Sequence, residues 1–121
     1  MEATIWHNPR CRKSREGFKF LEENGVQLNV YHYLENFPTE NEIKDLLEQM
    51  GAVPRDILRK GEKEFKDLGL KDQNLPDDTL LKAMSSHPKL IERPIVIAGN
   101  KATLGRPLEN LVAFFEQNIK E

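Results

Sequence analysis

The opening third of the chain reads strand, helix, strand, and that order leaves few folds open. Residues 3–7 carry Thr4, Ile5 and Trp6, side chains that suit a pleated, half-buried surface. Asn8-Pro9 is a turn signal that stops the strand. A helix is expected over 11–24, with Phe18, Leu21 and Phe20 on its buried face and Gly25 as the residue just past its end. Val26, Leu28, Val30, His32 and Leu34 then alternate with other residues at the strand period. Two strands separated by a helix cannot close as a hairpin. The helix returns the chain so that the strands pair in parallel, by the right-handed crossover.

The end of the chain has a different grammar. Ile95-Val96-Ile97-Ala98 is a buried-strand run, Gly99-Asn100 a two-residue hairpin signal, and 101–104 the antiparallel return. After Gly105-Arg106-Pro107, a helix carries Leu108, Leu111, Val112, Phe115 and Ile119 as one face. Between the two ends lie helical signals. Thr39 and Glu42 form a capping box ahead of Ile43, Leu46, Leu47 and Met50, and Gly51 ends that helix. A short helix is expected over 54–60, with packing continued by Phe65, Leu68 and Leu70. Asp77 or Asp78 is expected to cap a helix bearing Leu80, Leu81 and Met84, which ends near His87-Pro88. The order is βαβ, a helical insertion at about 39–90, then ββα. It implies an α/β, thioredoxin-like fold, a mixed four-stranded sheet with flanking helices. At 121 residues, a single domain over 1–121 and a monomer are expected.

Composition excludes several classes. Eighteen basic and twenty acidic residues give a net charge of −2, unlike a nucleic-acid-binding chain. One cysteine rules out an intrachain disulfide and every zinc site built on paired cysteines, and the three histidines are too dispersed for a local metal motif. No apolar run approaches a membrane span, and the start has no apolar signal segment, so a cytoplasmic protein is expected.

Cys11 is the candidate reactive centre. A free cysteine is commonly just a small buried hydrophobe. Three features argue otherwise here. Cys11 follows a strand-ending turn, it begins a helix whose free N–H groups favour an anion, and Arg10, Arg12, Lys13 and Arg15 surround it. At least two of those cations are expected to be plain solvated helix face. Ser14, one turn on, can reach the sulfur or a bound oxyanion, or bond its own backbone, and spacing leaves the choice open. His7 can face the same site, and Asn8 organises the turn.

The run His7-Asn8-Pro9-Arg10-Cys11-Arg12-Lys13-Ser14-Arg15 resembles the active-site motif of the glutaredoxin-coupled arsenate reductase family. Further blocks resemble it in the same order: Tyr33-Leu34-Glu35-Asn36, Leu58-Arg59-Lys60, Leu68-Gly69-Leu70, His87-Pro88, Glu92-Arg93-Pro94-Ile95-Val96 and Gly105-Arg106-Pro107. Arg12-Lys13 departs from the family pattern, in which small or polar residues such as Gly-Thr follow the cysteine. The resemblance implies Cys11 as nucleophile, and Arg59, Arg93 and Arg106 as the arginines around a tetrahedral oxyanion. Guanidinium forks suit such bidentate oxygen contacts. His7, Asn8, Ser14, Arg15 and Pro94 would support the site, with a cis peptide at Arg93-Pro94.

The implied reaction is attack of the Cys11 thiolate on arsenate with loss of water. With no second cysteine, an external thiol must resolve the adduct. The family implies glutathione as co-substrate and glutaredoxin as the partner that removes it from Cys11. No metal or bound cofactor is required. Two other functions remain open on these residues. One is a glutathione-dependent thiol reductase of another substrate, which has less need for all three arginines. The other is a non-enzymatic redox regulator binding RNA polymerase; such relatives commonly carry Cys-x-x-Cys, and Ser14 stands where the second cysteine would be.

Overall fold

The computed structural model describes residues Met1–Glu121. The chain forms two compact units, Met1–Tyr33 with Arg93–Glu121, and Leu34–Glu92. The first holds a four-stranded sheet of β1 (Glu2–Trp6), β2 (Gln27–Tyr31), β3 (Ile95–Ala98) and β4 (Lys101–Leu104), in the order β2-β1-β3-β4. β1 pairs in parallel with β2 and antiparallel with β3, which pairs antiparallel with β4. The sheet is mixed, as the order of elements requires.

Helix α1 (Arg12–Glu23) links β1 to β2 and ends in a Schellman motif. Gly25 has φ +79°, its N–H donates to Glu22 O, and the Val26 N–H reaches back to Leu21 O. The core of this unit lies on the sheet face that carries Ala3, Ile5, Val96 and Ala98. Leu21 and Val26 meet it from α1 and its end, and Leu111, Phe114, Phe115 and Ile119 from the C-terminal segment. At the end of β1 the buried Trp6 meets Tyr31 edge-on and stacks on Tyr33.

Several sequence expectations shift. The buried residues of α1 are Ser14, Gly17 and Leu21, while Phe18 and Phe20 are only partly covered. The strand period over 26–34 ends early: β2 stops at Tyr31, Val30 is exposed and Tyr33 is buried. β2 is an edge strand, so its outer positions lack a neighbour. In the C-terminal helix α5 (Leu108–Phe114) Val112 is exposed and Phe114 is buried. A π turn follows over Phe115–Ile119, with Lys120 N bonded to Phe115 O at 2.8 Å. Ile119 is buried in the core, as its place on the apolar face expects. The 95–104 hairpin turns with φ positive at Gly99 alone, the sign pattern of a type II′ turn.

The second unit contains α2 (Glu40–Met50), α3 (Lys63–Asp67) and α4 (Asp77–Ser86). Thr39 closes the expected capping box on α2, and Gly51 ends it with φ +66°. The helix expected over 54–60 is one 3₁₀ turn, Pro54–Ile57. Leu70 is buried, whereas Leu68 is exposed. Pro76 caps α4, and Asp77 and Asp78 lie instead in its first turn, where carboxylates complement the helix dipole. A bridge between Leu58 and Ile91 and the bond from Arg59 N to Leu90 O tie the start and end of this unit together. No helix is long and apolar enough to cross a membrane.

Candidate active site

The turn between β1 and α1 is built by Asn8. Its Oδ1 accepts from the Arg10 N–H at 3.0 Å, and its carbonyl accepts from the Cys11 N–H at 3.0 Å. Cys11 therefore becomes the N-cap of α1 in extended conformation, and its carbonyl takes the first helical bond, from Arg15 N. The half-buried thiol sits beside the free amides of the first turn. The amides of Lys13 and Ser14 close no side-chain cap on the sulfur, but both favour its thiolate.

The distant partner of the sulfur is Arg93. Its Nε donates to Cys11 Sγ at 3.1 Å, across 82 positions of sequence. Burial of the thiol works against the thiolate. The Ser14 amide, the Arg93 hydrogen bond and charge, and the Lys13 amide outweigh it and hold Cys11 below the ordinary thiol range. The causes of this shift lie in backbone amides and Arg93 rather than in the side chains of Arg10, Arg12, Lys13 and Arg15. Arg12 and Lys13 pair with Glu16, and Arg15 Nη1 donates to Pro9 O at 3.0 Å.

Ser14 bonds the local backbone and His7, with no bond to the sulfur. Its fully buried hydroxyl accepts from the Asn8 N–H at 3.0 Å and lies 2.8 Å from His7 Nδ1. Since the hydroxyl oxygen already accepts from Asn8, its own proton suits an unprotonated Nδ1. A neutral ring fits: burial, then the charges of His32 and Arg15, hold His7 below its usual value. His7 thus touches Ser14 rather than Cys11, and the pair pins the end of β1 to the start of α1.

Arg93 and Arg106 are brought together by the sheet. The β3–β4 register pairs Ile95 with Leu104, and Gly105 N donates to Pro94 O at 2.8 Å. Arg93 precedes β3 and Arg106 follows β4, each two residues beyond the Ile95–Leu104 pair, and both are half-buried. The Arg93–Pro94 peptide is cis, and so is Arg106–Pro107, which the sequence reading did not anticipate. Pro94 is packed between two glycines: a Cβ on Gly17 would lie 3.0 Å from Pro94 Cγ, and one on Gly105 3.1 Å from it. The sequence reading missed both. A glycine inside a helix was the available signal, since it costs about 1 kcal/mol against alanine and calls for a packing reason.

Arg59 lies in the Leu34–Glu92 unit. Its Nη1 is 2.9 Å from Glu62 Oε1 and its Nε 3.7 Å from Glu92 Oε1. No group of three or more His, Cys, Asp or Glu side chains is placed to hold a metal ion. Within the first unit, then, a stabilised thiolate faces a guanidinium that already binds it, and Arg106 follows the strand paired with the one that Arg93 precedes. Such an arrangement suits nucleophilic attack on a small oxyanion.

Comparison with known proteins gives the same picture. The model of the ArsC family matches residues 6–114. An arsenate reductase of Neisseria meningitidis is 47% identical over 113 residues, covering 93% of this chain and 97% of that protein. An arsenate reductase of Escherichia coli is 40% identical over 106 residues, covering 88% of this chain and 75% of that one. Among solved structures, an arsenate reductase from Vibrio cholerae superposes with a TM-score of 0.89 at 45% identity, over 93% of this chain and 97% of its own.

Proposed function

This chain belongs to the ArsC family, and from that premise we propose that it reduces arsenate to arsenite through Cys11, with glutathione and glutaredoxin as reductants. The observation that carries the reading is the 3.1 Å bond from Arg93 Nε to Cys11 Sγ: one guanidinium stabilises the attacking thiolate and stands where the oxyanion must come. The enzyme is read as one domain over 1–121 with an insertion at about 39–90, acting in the cytoplasm as a monomer.

The Cys11 thiolate attacks arsenic, one arsenate oxygen leaves as water, and a sulfur–arsenic(V) bond forms. Arg93 and Arg106, with Arg59 as the family pattern implies, neutralise the remaining oxygens. A glutathione thiolate then attacks the Cys11 sulfur. The sulfur–sulfur bond forms, and the sulfur–arsenic pair stays on arsenic, which leaves as arsenite. Two electrons have moved from two thiols to arsenic. Glutaredoxin removes the glutathionyl group by thiol exchange and frees the Cys11 thiolate. His7, Asn8, Ser14, Arg15 and Pro94 support by holding the turn and the strand ends, and no bound cofactor takes part.

The test is arsenate-dependent NADPH oxidation in the presence of glutathione, glutaredoxin and glutathione reductase. Turnover is expected in the wild type and its complete loss in Cys11→Ser. A wild type that fails to turn over arsenate refutes the substrate, and turnover surviving in Cys11→Ser refutes the nucleophile.

A further inference from the structure

We propose that Glu62 is the counter-ion that Arg59 gives up when it takes the substrate oxyanion, so that Glu62 sets how tightly the oxyanion is held. The inference rests on the role given above to Arg59 and adds the group that competes for it.

Arg59 sits between two carboxylates. Its Nη1 lies 2.9 Å from Glu62 Oε1, and its Nε lies 3.7 Å from Glu92 Oε1. One guanidinium against two carboxylates leaves a local excess of one negative charge. Arg59, Glu62 and Glu92 are only 23%, 24% and 27% exposed, so solvent screens that excess less than it would on an open surface. An oxyanion that approaches this trio meets net repulsion until one carboxylate withdraws. It also finds its contact taken. With Nε turned to Glu92, the guanidinium edge left for a fork contact is the one that carries Nη1, and Glu62 occupies it.

The backbone decides which carboxylate yields. Leu58 and Ile91 form a bridge, the Arg59 N–H donates to Leu90 O at 2.7 Å, and the Glu92 N–H donates to Ile57 O at 2.8 Å. Arg59 and Glu92 are therefore carried by one short ladder, and their main chains keep their relative positions. Glu62 lies off that ladder. It follows the exposed turn at Lys60-Gly61 and stands at the N-cap of α3, where its carboxylate makes no cap bond. Glu92 keeps the guanidinium oriented, and Glu62 is the partner free to be exchanged.

Oxyanion binding can be read without turnover, as protection of Cys11 in the full chain from iodoacetamide by inorganic phosphate or arsenate, with no glutathione present. Each variant's alkylation rate without anion is its own reference, so a change in thiol reactivity does not enter. Glu62→Gln keeps an acceptor for Nη1 and removes the charge. Its half-protecting phosphate concentration is expected to fall about fivefold. Asp67→Asn removes a carboxylate from the same short helix and is expected to change that concentration less than about twofold. Glu62→Gln added to Arg59→Ala is expected to change it less than about twofold as well, because the counter-ion then has nothing to release. Should Glu62→Gln fail to fold by circular dichroism, Glu62→Ser takes its place with the same expected direction. Protection unchanged or weakened in the folded Glu62 variant overturns the proposal. An equal gain in Asp67→Asn, or a gain that persists without Arg59, also overturns it. A tighter phosphate site in Glu62→Gln, with no arsenate reduction by the wild type, refutes the proposed function and leaves the exchange standing. No protection by either anion in either protein overturns both the exchange and the oxyanion role of Arg59.

Discussion

At the residue scale, one side chain holds the site together, and it comes from 82 positions away. Arg93 both donates to the Cys11 sulfur and contributes charge. Arg93→Ala is therefore expected to raise the Cys11 pKa and to lower kcat/KM for arsenate on the order of a hundredfold. Arg93→Lys keeps the charge without the Nε donor, so its Cys11 pKa should fall between those of wild type and alanine. Thiolate absorbance against pH measures both; equal values in wild type and Arg93→Ala would remove the activation argument. His7 makes a second prediction. Its folded value lies below the ordinary 6.5, so the unfolded chain binds the proton more readily. His7 then contributes stability that is present above 6.5 and lost as pH falls through the folded value. The difference in unfolding free energy between wild type and His7→Asn should grow as pH rises into the neutral range. A difference that is flat from mildly acid to neutral pH contradicts the neutral, Ser14-bound ring. The sequence pointed to His7, Cys11 and Ser14 by position, but not to their bonding, because a hydroxyl between a turn amide and an imidazole leaves no spacing signature.

At the scale of elements, the site depends on how closely α1 approaches the strand end that carries Pro94. Gly17 allows it: an added Cβ would sit 3.0 Å from Pro94 Cγ and 3.3 Å from Leu111 Cδ2. Propensity alone makes glycine to alanine in a helix favourable by about 1 kcal/mol. Overpacking opposes that gain and typically costs about 1–3 kcal/mol. Both neighbours are held, one in a ring and one in the core, so the clash should win. Gly17→Ala is expected to lower the denaturant midpoint, and a raised midpoint would show that α1 can move away freely. The elements themselves were legible where local chemistry decides them: the Thr39–Glu42 box, the glycine ends of α1 and α2, the Gly99-Asn100 turn. They were misread where the neighbour decides. Val30 follows the strand period but lies exposed on an edge strand, and Val112 follows the apolar face of α5 but is exposed.

At the scale of the molecule, element order carried the mixed sheet, because βαβ followed by ββα admits little else. Grouping the arginines was a different problem. Arg93 and Arg106 flank the β3–β4 pair at the same end of the hairpin, which the signal at Gly99-Asn100 already contained once the register was counted outward. Arg59 had no such route, since nothing in its spacing ties it to either strand. Its proposed role comes from family resemblance, and it lies in the unit Leu34–Glu92, paired with Glu62 and Glu92. That separation makes the two kinds of arginine distinguishable. If Arg59 serves the substrate oxygens alone, Arg59→Ala should lower kcat/KM for arsenate by about a hundredfold. The Cys11 pKa should stay at the wild-type value, because Arg93 and the amides of α1 account for the thiolate. Arg93→Ala should move both quantities. Steady-state arsenate kinetics and a thiolate titration on the same two variants decide it. If Arg59→Ala leaves arsenate turnover untouched, the oxyanion is held by the strand-end arginines and backbone amides, and the three-arginine pattern does not apply to this chain.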